Sequence, residues 1–284
     1  MNAPIPRIIL RPNQSWLQVD WRGLIQYSDL LVELILRDFT AKYKQTLLGP
    51  LWSIINPLLT TFVFTLLFGR VMKVSTTGIP PLLFYLCSLL GWTYFANVLG
   101  STGTSLTSNA RIFSKVYFPR LVPPIAVTIS NLVGFFIQFL FFCCAYAYYK
   151  LFTDYGASLS MSPWAFAFPL LILHMAVLGL GVGLIISSLT AKYRDLTHLT
   201  GIIVQLWMYA TPVIYPLSKI PEQWRWICEL NPMTAVVETL RQAFLNSGHV
   251  NLGSYTTSLA MSFGILVIGV LFYQRMARTF VDTV

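Results

Sequence analysis

Six long stretches of this chain contain no aspartate, glutamate, lysine or arginine. They cover residues 45–69, 74–110, 121–149, 155–191, 196–218 and 242–274. Each can hold the roughly 20 residues that a helix needs to cross a hydrocarbon layer of about 30 Å. Charged residues make up only 10% of the chain, whereas a soluble domain carries roughly 25%. The sequence therefore predicts an integral membrane protein and excludes a soluble fold.

These stretches favour helices over a membrane β-barrel, because barrel strands alternate apolar and polar residues in segments of about ten. We therefore predict an all-α integral membrane protein with six transmembrane helices. They are placed near 51–70, 80–100, 121–149, 164–190, 199–216 and 255–274. The chain then divides into three parts. These are a cytoplasmic N-terminal segment (1–46), a six-helix transmembrane domain (47–275) and a cytoplasmic tail (276–284).

Lysine and arginine are distributed unevenly between the two sides of this arrangement. If the N-terminus is cytoplasmic, 13 of the 19 basic residues fall in inner segments. Inner loops of membrane proteins carry an excess of basic residues, so both termini are predicted to face the cytoplasm. Basic loops facing anionic lipid also account for the net charge of +9, which therefore does not indicate a nucleic-acid partner.

A segment before the first span has the spacing of an amphipathic helix. Its apolar residues recur every three or four positions, at Leu24, Tyr27, Leu31, Leu34 and Ile35. Glu33 and Arg37 lie on the other face, four apart in the order that favours an ion pair. The segment is too short and too charged to span, so we predict a helix along the cytoplasmic interface. A helix packed on a small soluble cap is the alternative.

The outer segment at 217–250 contains two short helical patterns. Pro221 is suited to open the first helix, which carries Trp224 and Arg225. Asn231 followed by Pro232 predicts the start of the second, because asparagine caps helices and proline fits their first turn. Both helices are too short to cross the membrane. They are predicted to lie at the outer interface or to dip back into the membrane against other helices.

The second short helix carries two opposite charges. An apolar stripe follows its start, with Glu238 and Arg241 opposite that stripe and Gly248 as the expected stop. Glu238 and Arg241 are three apart, so they lie on one face. We interpret the two helices as an outer gate, held by this pair or by its contacts with a second subunit.

The loop at 102–120 is the longer of the two internal cytoplasmic loops. Its second half is basic and partly apolar, with Arg111, Phe113, Lys115, Phe118 and Arg120. Such a loop suits the surface of lipid headgroups and equally suits a partner protein. If it binds a partner, its aromatic residues are expected to carry most of the binding energy, while the charges set orientation.

Several aromatic residues fall deep within the predicted spans, namely Trp92, Tyr94, Phe95, Trp207 and Tyr209. They suit helix packing, and they also suit a path for a solute that stacks on flat faces, such as a sugar. His174 likewise fits either a hydrogen-bonded packing role or a proton relay. The composition leaves both pairs of interpretations open.

No arrangement in the sequence predicts catalysis or metal binding. An ATPase needs a GxxxxGK[ST] loop to hold phosphate, and this sequence has no glycine followed by lysine. Cysteines and histidines lack ligand spacing, and no Ser/His/Asp set or pair of carboxylates lies within the spans. We therefore predict a chain that is not an enzyme and that holds no cofactor of its own.

Taken in order, several short motifs resemble the permease subunits of ABC-2 type polysaccharide exporters, which handle O-antigen, capsular polysaccharide and teichoic acid. The motifs extend from about residue 30 to the C-terminus. They are Lys42-Tyr43-Lys44, Leu48-Gly49-Pro50-Leu51-Trp52, Asn56-Pro57, Phe118-Pro119-Arg120, Tyr193-Arg194-Asp195, Thr211-Pro212-Val213, Tyr215-Pro216 and Asn231-Pro232-Met233, with Glu238 and Arg241 after them.

This resemblance implies a homodimer in the bacterial plasma (inner) membrane. Its subunits would form a channel for a polysaccharide or lipid-linked glycan, and two copies of a separate ABC ATPase would bind ATP and magnesium beneath it. The coupling loop would match 109–120, with a second contact at Tyr193, Arg194 and Asp195. The channel lining would draw on the five deep aromatics and Tyr215, and the outer gate helices would match 221–245.

Three other functions fit the same composition. An ABC-2 permease for a drug or a lipid differs only in its substrate. A passive channel is disfavoured by the basic loop at 102–120, and a membrane enzyme such as a lipid-linked sugar transferase is disfavoured by the lack of an acidic cluster.

Overall fold

The computed structural model describes residues 21–44, 46–76, 78–113, 118–193 and 195–281. Within these ranges the regular secondary structure is helical and includes no strand, which confirms the all-α prediction. The helices are α1 (Trp21–Gln26), α2 (Ser28–Tyr43), α3 (Trp52–Phe64), α4 (Pro81–Gly103), α5 (Ser105–Ser108), α6 (Ala110–Phe113), α7 (Val122–Phe152), α8 (Phe168–Lys192), α9 (Leu196–Ala210), α10 (Glu222–Glu229), α11 (Pro232–Leu245) and α12 (Leu252–Val281).

Five helical segments of the described chain are long and apolar enough to cross a membrane. They are Gly49–Val71, Pro81–Gly103, Val122–Phe152, Pro163–Lys192 and Leu252–Arg278. The first contains α3 and continues as a π-helical turn over Thr65–Val71. These segments match five of the six predicted spans.

The predicted span near 199–216 is shorter than expected. It corresponds to α9, which ends at Ala210 after 15 residues and so rises only about 22 Å. The reason is local. Thr211 precedes a proline, which disfavours helical backbone at that position, and its ψ is accordingly 140°. The chain then continues to Pro216 without regular helix.

The core of the molecule is built around α4. In its most apolar stretch 78% of the residues are buried, against 17% in the first span. Side chains of α7, α8 and α11 pack around it in one continuous apolar cluster. Consequently α4 is a central helix, whereas α3 lies at the periphery.

Two glycines let α8 approach its neighbours on opposite sides. A Cβ added to Gly183 would lie 2.6 Å from the Cβ of Thr102 on α4, and one added to Gly181 would lie 2.8 Å from the backbone of Leu266 on α12. Only glycine permits these contacts. The small-residue face predicted for α8 therefore serves close helix packing on both flanks.

His174 adds a polar contact between α8 and α12. Its Nε2 lies 2.8 Å from the hydroxyl of Ser262 and 3.4 Å from that of Ser258, and the ring is fully buried. This geometry favours the hydrogen-bonded packing role over a proton relay, because the two serines lie on one helix and their hydroxyls donate to backbone carbonyls, those of Pro232 and Ser258.

The amphipathic segment is helical as predicted, but it forms two helices, α1 and α2, that are interrupted at Tyr27, and its apolar face is covered by protein. Leu34 is buried against Phe118 and the start of α7. The expected pairing of Glu33 with Arg37 is replaced by other contacts. Arg37 forms an ion pair of 2.7 Å with Asp38 and donates to the side-chain oxygen of Asn109 at 3.3 Å. Arg37 therefore joins α2 to the loop after α4.

Candidate functional site

The α11 helix is surrounded by protein on both of its faces. The stripe that includes Val236 and Leu240 packs against the core, as the periodicity predicts. Glu238 and Arg241 were expected on a more polar face, yet they are only 3% and 1% exposed. This corrects the prediction of an amphipathic helix at a water interface and favours the alternative of a helix packed against other helices.

The guanidinium group of Arg241 donates hydrogen bonds to four partners. Nε donates to the hydroxyl of Ser88 on α4 at 2.8 Å. Nη2 donates to the carbonyl of Val213 at 2.8 Å, and Nη1 donates to the carbonyl of Tyr215 at 3.3 Å and to Glu238 at 2.9 Å. The group also lies 3.9 Å from the ring centroid of Phe84, which provides a cation–π contact. Arg241 thus joins α11, α4 and the segment after α9.

Glu238 balances the buried positive charge. Its second carboxylate oxygen accepts a hydrogen bond of 2.9 Å from the backbone N–H of His249, so both of its oxygens are paired. Burial lowers the pKa of Arg241, and the Glu238 carboxylate opposes that shift. Because an arginine side chain is not deprotonated in proteins, Arg241 keeps its charge. Glu238 and Arg241 therefore form a buried ion pair within a network of five hydrogen bonds.

The two ends of α11 are fixed by short polar residues. At the start, the Asn231 side chain accepts from the N–H of Met233 at 3.1 Å, which is the predicted cap. At the end, Asn246 adopts a left-handed conformation with φ of 51°. The expected stop at Gly248 is therefore displaced by two residues. Gly248 instead packs against the α11 backbone, where an added Cβ would lie 2.7 Å from the Gln242 nitrogen.

Asn231 also connects α11 to the end of α9. Its oxygen accepts a hydrogen bond of 3.0 Å from the indole N–H of Trp207, and its amide nitrogen donates to the hydroxyl of Thr211 at 2.8 Å. Thr211 in turn donates to the carbonyl of Trp207 at 2.8 Å. The region where α9 ends is therefore held by side-chain hydrogen bonds rather than by continued helix.

The α10 helix differs from α11 in its exposure. Among its eight residues none is buried, and Trp224 is 56% exposed. Arg225 is half-buried, with a shielded Nε that has no hydrogen-bond partner in the described structure. The four predicted gate residues therefore split into two groups, because Trp224 and Arg225 lie on the exposed helix while Glu238 and Arg241 lie inside.

The predicted path aromatics also fall into two groups. Trp92, Tyr94 and Phe95 are buried in the core around α4. Trp207 packs edge-on against Phe95, with ring centroids 5.1 Å apart. Tyr209 is 47% exposed. Burial of the three α4 residues favours helix packing over a path lining within a single subunit. The ring of Tyr209, by contrast, lies on the surface of the subunit.

Tyr215 lies between the two groups. It is half-buried, and its hydroxyl donates to the backbone carbonyl of Tyr209 at 3.0 Å. Its own carbonyl accepts from Arg241. Tyr215 therefore connects the exposed end of α9 to the buried ion pair.

The predicted coupling segments meet at one end of the molecule, which we call the basic end. It contains α2, the loop between α4 and α7, and the C-terminal ends of α8 and α12. The hydroxyl of Thr190 donates to the carbonyl of Gly103 at 2.9 Å, and Tyr273 donates to the carbonyl of Arg120 at 3.2 Å. The loop after α4 and the loop after α8 therefore begin side by side.

The residues predicted to bind a partner at this end differ in exposure. Arg111, Tyr193 and Asp195 are exposed, whereas Phe113 and Arg120 are half-buried. Lys115 and Arg194 lie outside the described residues. Phe118 is only 3% exposed and stacks on Phe113 with ring centroids 5.4 Å apart. The expectation that Phe118 inserts into a partner is corrected, because its ring already packs against α2.

Sequence reasoning missed several members of the network around Arg241. Ser88 is an isolated hydroxyl in an apolar span, and nothing in its neighbourhood marks it as a partner for a residue 153 positions later. The backbone carbonyls of Val213 and Tyr215 carry no sequence signal at all. Asn231 was predicted as a helix cap, but its contact with Trp207 depends on the tertiary fold.

Comparisons with known proteins agree with this architecture. The family model described as "ABC-2 type transporter" matches residues 29–245. The chain is 30% identical over 255 residues to the "O-antigen export system permease protein RfbA" of Klebsiella pneumoniae, covering 89% of this chain and 94% of that protein. A protein of the same name from Myxococcus xanthus is 30% identical over 227 residues, or 78% of this chain and 83% of that protein.

A more distant relative handles another polymer. The chain is 24% identical over 246 residues to the "Polysialic acid transport protein KpsM" of Escherichia coli, covering 85% of this chain and 91% of that protein. The family match extends from the first turn of α2 through α11, so it includes the buried ion pair and all of the basic end except the end of α12. The resemblance predicted from the motifs is confirmed, and the chain belongs to the ABC-2 type transporter family of membrane proteins.

Proposed function

We propose that this chain is the permease subunit of an ATP-binding-cassette exporter that moves a cell-surface polysaccharide out of the cytoplasm. The observation that carries the proposal is the extent of the match, which reaches 94% of the length of a relative named as an O-antigen export permease. A second relative is named for polysialic acid, so the polymer itself varies among related proteins. Polysaccharide is therefore the substrate class that they share.

In this proposal the chain crosses the inner membrane six times, with both termini in the cytoplasm. The α9 helix and the irregular segment to Pro216 together make the fifth crossing. Polar side chains in this crossing have hydrogen-bond partners within the protein, because Asn231 donates to Thr211 and accepts from Trp207. The basic end, which carries Lys42, Arg111 and Lys192, then faces the cytoplasm as expected from charge distribution.

Two copies of the chain would enclose the path for the polymer. The observation that supports a dimer is exposure, since α9 is apolar yet none of its residues is buried. The first span is also largely uncovered, with only 17% of its apolar stretch buried. Facing α3 and α9 of two subunits would bring Tyr209 to a shared surface, with Trp207 and Tyr215 behind it. The α10 and α11 helices would form the outer gate.

ATP hydrolysis would occur on two copies of a separate ATPase, which would hold ATP and magnesium. The chain lacks a phosphate-binding loop, so energy can reach it only by contact. The basic end supplies a surface for that contact, formed by Arg111, Phe113, Tyr193 and Asp195. Lys115 and Arg194 lie outside the described residues, and we propose from their place in the sequence that they take part in the same contact. Exposed charges of this kind would set orientation more than affinity.

Deletion of the gene in its host tests the function directly. Loss of the surface polysaccharide, with accumulation of the polymer inside the cell, is the expected result. Expression of the wild-type chain should restore surface polymer, as measured by glycan staining of intact and of lysed cells. Normal surface polymer in the deletion strain, together with increased sensitivity to toxic compounds, would instead indicate a drug permease.

The proposed fifth crossing, by α9, has its own test. Single cysteines would replace Asp195 and Ser218, which are both exposed and lie on either side of α9. The four native cysteines would first be replaced. A membrane-impermeant maleimide should label position 218 in intact spheroplasts and position 195 only after lysis. Labelling of both positions from the same side would reject a crossing by α9.

A further inference from the structure

A small polar cavity lies where α10 and α11 meet the start of α12. Its volume is about 70 Å³. Because α12 begins here and ends at the basic end, the cavity lies at the opposite end of the molecule. It adjoins the buried ion pair through Glu238, whereas Arg241 does not line it. The polar side chains on its wall include Glu229, Thr234, Glu238, Asn251, Ser254 and Tyr255.

Two buried hydroxyl groups on the wall have no hydrogen-bond partner. Thr234 is 2% exposed and Tyr255 is 8% exposed, and neither side-chain oxygen is bonded within the described structure. Nearby hydroxyls differ, because those of Thr239 and Ser258 each donate to a backbone carbonyl. A buried hydroxyl without a partner costs free energy, and native structures pair most such groups. The two hydroxyls therefore favour a polar ligand at this wall.

The cavity also contains two carboxylates. Both oxygens of Glu238 already accept hydrogen bonds, one from Arg241 and one from the backbone N–H of His249. Glu229, the last residue of α10, forms no ion pair within the described ranges. It is therefore the carboxylate that is free to accept from a ligand. No three histidine, cysteine, aspartate or glutamate side chains in the described part of the chain are placed to hold a metal ion, so the wall suits hydrogen bonding instead.

The size of the cavity restricts what can enter it. A water molecule occupies about 30 Å³ in the liquid, so the volume corresponds to about two waters. A hydroxymethyl group, with one carbon and one oxygen, is of this size, whereas a sugar ring is much larger. His249 and Asn251 are exposed, and so they mark the side on which the cavity meets its surroundings. One arm of a saccharide can therefore enter while its ring stays outside.

An aromatic residue lies within one helical turn of the cavity. Trp226 is 59% exposed and stands three residues before Glu229 on α10. Residues three apart lie on the same side of a helix. A sugar ring whose arm reaches Glu229 therefore has an exposed flat face nearby on which to stack.

From these observations we infer that the cavity binds the hydroxymethyl arm of a hexose unit in a saccharide. A hydroxyl oxygen accepts two hydrogen bonds and donates one, which matches the unpaired hydroxyls of Thr234 and Tyr255 and the carboxylate of Glu229. An ammonium group only donates, so it would leave both hydroxyl hydrogens without an acceptor. The inference rests on the proposed function, in which the exported polymer reaches this side as it passes the outer gate.

Two methyl glycosides that differ in a single arm test the assignment. Methyl β-D-glucopyranoside carries the hydroxymethyl arm, and methyl β-D-xylopyranoside is the same ring without it. Saturation-transfer difference NMR would titrate each glycoside against the purified full-length permease, in a detergent that has no sugar headgroup. We expect the glucoside to bind about 5-fold to 10-fold more tightly, because the xyloside leaves the polar groups of the wall unpaired. The protons of the arm should receive the largest saturation.

Variants of the two unpaired hydroxyls distinguish binding from folding. Thr234→Val and Tyr255→Phe each remove one hydroxyl and nearly preserve the shape of the side chain. No hydrogen bond within the described structure is lost, so the melting temperature should stay the same or rise. Each variant should nevertheless weaken the glucoside about 3-fold to 10-fold and leave the xyloside unchanged. A hydroxyl that served only the fold would give the opposite result.

The carboxylate has a matched control on its own helix. Glu229→Gln should weaken the glucoside by a similar factor, since a hydrogen bond to a carboxylate is stronger than one to an amide. Glu222→Gln removes an exposed carboxylate at the other end of α10, outside the cavity, and should bind as the wild type does.

Three results would overturn the inference. They are equal affinity of the wild-type protein for the two glycosides, no measurable saturation of the glucoside, and a lower melting temperature of Thr234→Val with unchanged binding. The comparison of the glycosides needs only the wild-type protein, so it holds even where a variant does not fold. Failure of the proposed function is read separately, from surface polysaccharide in the deletion strain. Normal complementation with equal binding of the two glycosides rejects the cavity assignment alone.

Discussion

Arg241 on α11 donates a hydrogen bond of 2.8 Å to the hydroxyl of Ser88 on the central helix α4. The replacement Ser88→Ala removes this acceptor and leaves a buried, charged N–H unpaired. We expect the free energy of unfolding to fall by about 1–3 kcal/mol. Thermal melting in detergent measures the loss. Ser101→Ala, on an exposed turn of the same helix, should stay within about 0.5 kcal/mol of wild type. Equal melting temperatures of the two variants would contradict the prediction.

Because the ion pair is buried, removal of one charge should strongly destabilise the protein through the charge that remains. Arg241→Met leaves the Glu238 carboxylate buried without its cation, and we expect a loss of about 3–5 kcal/mol. The double variant Arg241→Met with Glu238→Gln should recover part of that loss, because no uncompensated charge remains. A double-mutant cycle on melting temperature gives the coupling. Additive effects of the two changes would argue against a direct pair.

Exchange of the two charges should not restore the protein. With Glu238→Arg and Arg241→Glu, the carboxylate at position 241 would face the carbonyl oxygens of Val213 and Tyr215, which now accept from the guanidinium group. Like partial charges would repel, so that export should remain impaired. Export by the exchanged variant at the wild-type level would mean that the pair acts alone and that its other contacts contribute little.

Variants of Phe118 and Arg111 should distinguish an effect on stability from an effect on coupling to the ATPase. Phe118→Ala opens a cavity between α2 and α7, and we expect it to destabilise the protein by about 3–5 kcal/mol. Arg111→Gln changes an exposed side chain and should cost much less stability than Phe118→Ala while reducing recovery of the ATPase in co-purification. If Phe118→Ala melts normally yet loses the ATPase, its ring is an anchor for the partner after all.

Replacement of Tyr209 is the most specific test of whether aromatic rings line a path for the polymer. Its ring is exposed, and the hydrogen bond from Tyr215 reaches only its backbone carbonyl. Tyr209→Leu therefore removes the flat face without breaking that bond, and export should fall while expression and assembly persist. Trp207→Leu is less specific, because it also removes the hydrogen bond to Asn231. Unchanged export in Tyr209→Leu would favour a packing role for this ring.

The sequence was informative where local rules decide the outcome. Hydropathy predicted six spans, five of which are helices of membrane-crossing length, and the Asn231-Pro232 pair predicted the start of α11. The spacing of Glu238 and Arg241 predicted that they share a face. The Thr211-Pro212 pair also contains the reason why α9 stops early, although apolar residues after it suggested a longer helix.

Contacts between distant segments could not be predicted in the same way. Nothing local to α11 indicates that its charged face is covered by α4 and by the segment after α9. Phe118 lies in a basic loop and reads as exposed, yet α2 provides an apolar surface that buries it. Thr234 and Tyr255 belong to two different helices, and only the fold brings them to one cavity.

The close approach of α8 to both of its neighbours has a mechanical consequence. Helices whose backbones touch at Gly181 and Gly183 cannot slide or rotate past one another without collision. The helices α4, α8 and α12 therefore move as one unit. The helices α3 and α9, which have the least internal packing of the long helices, are free of this constraint. If the chain passes a polymer as proposed, we expect opening and closing to displace these two helices relative to α4, α8 and α12.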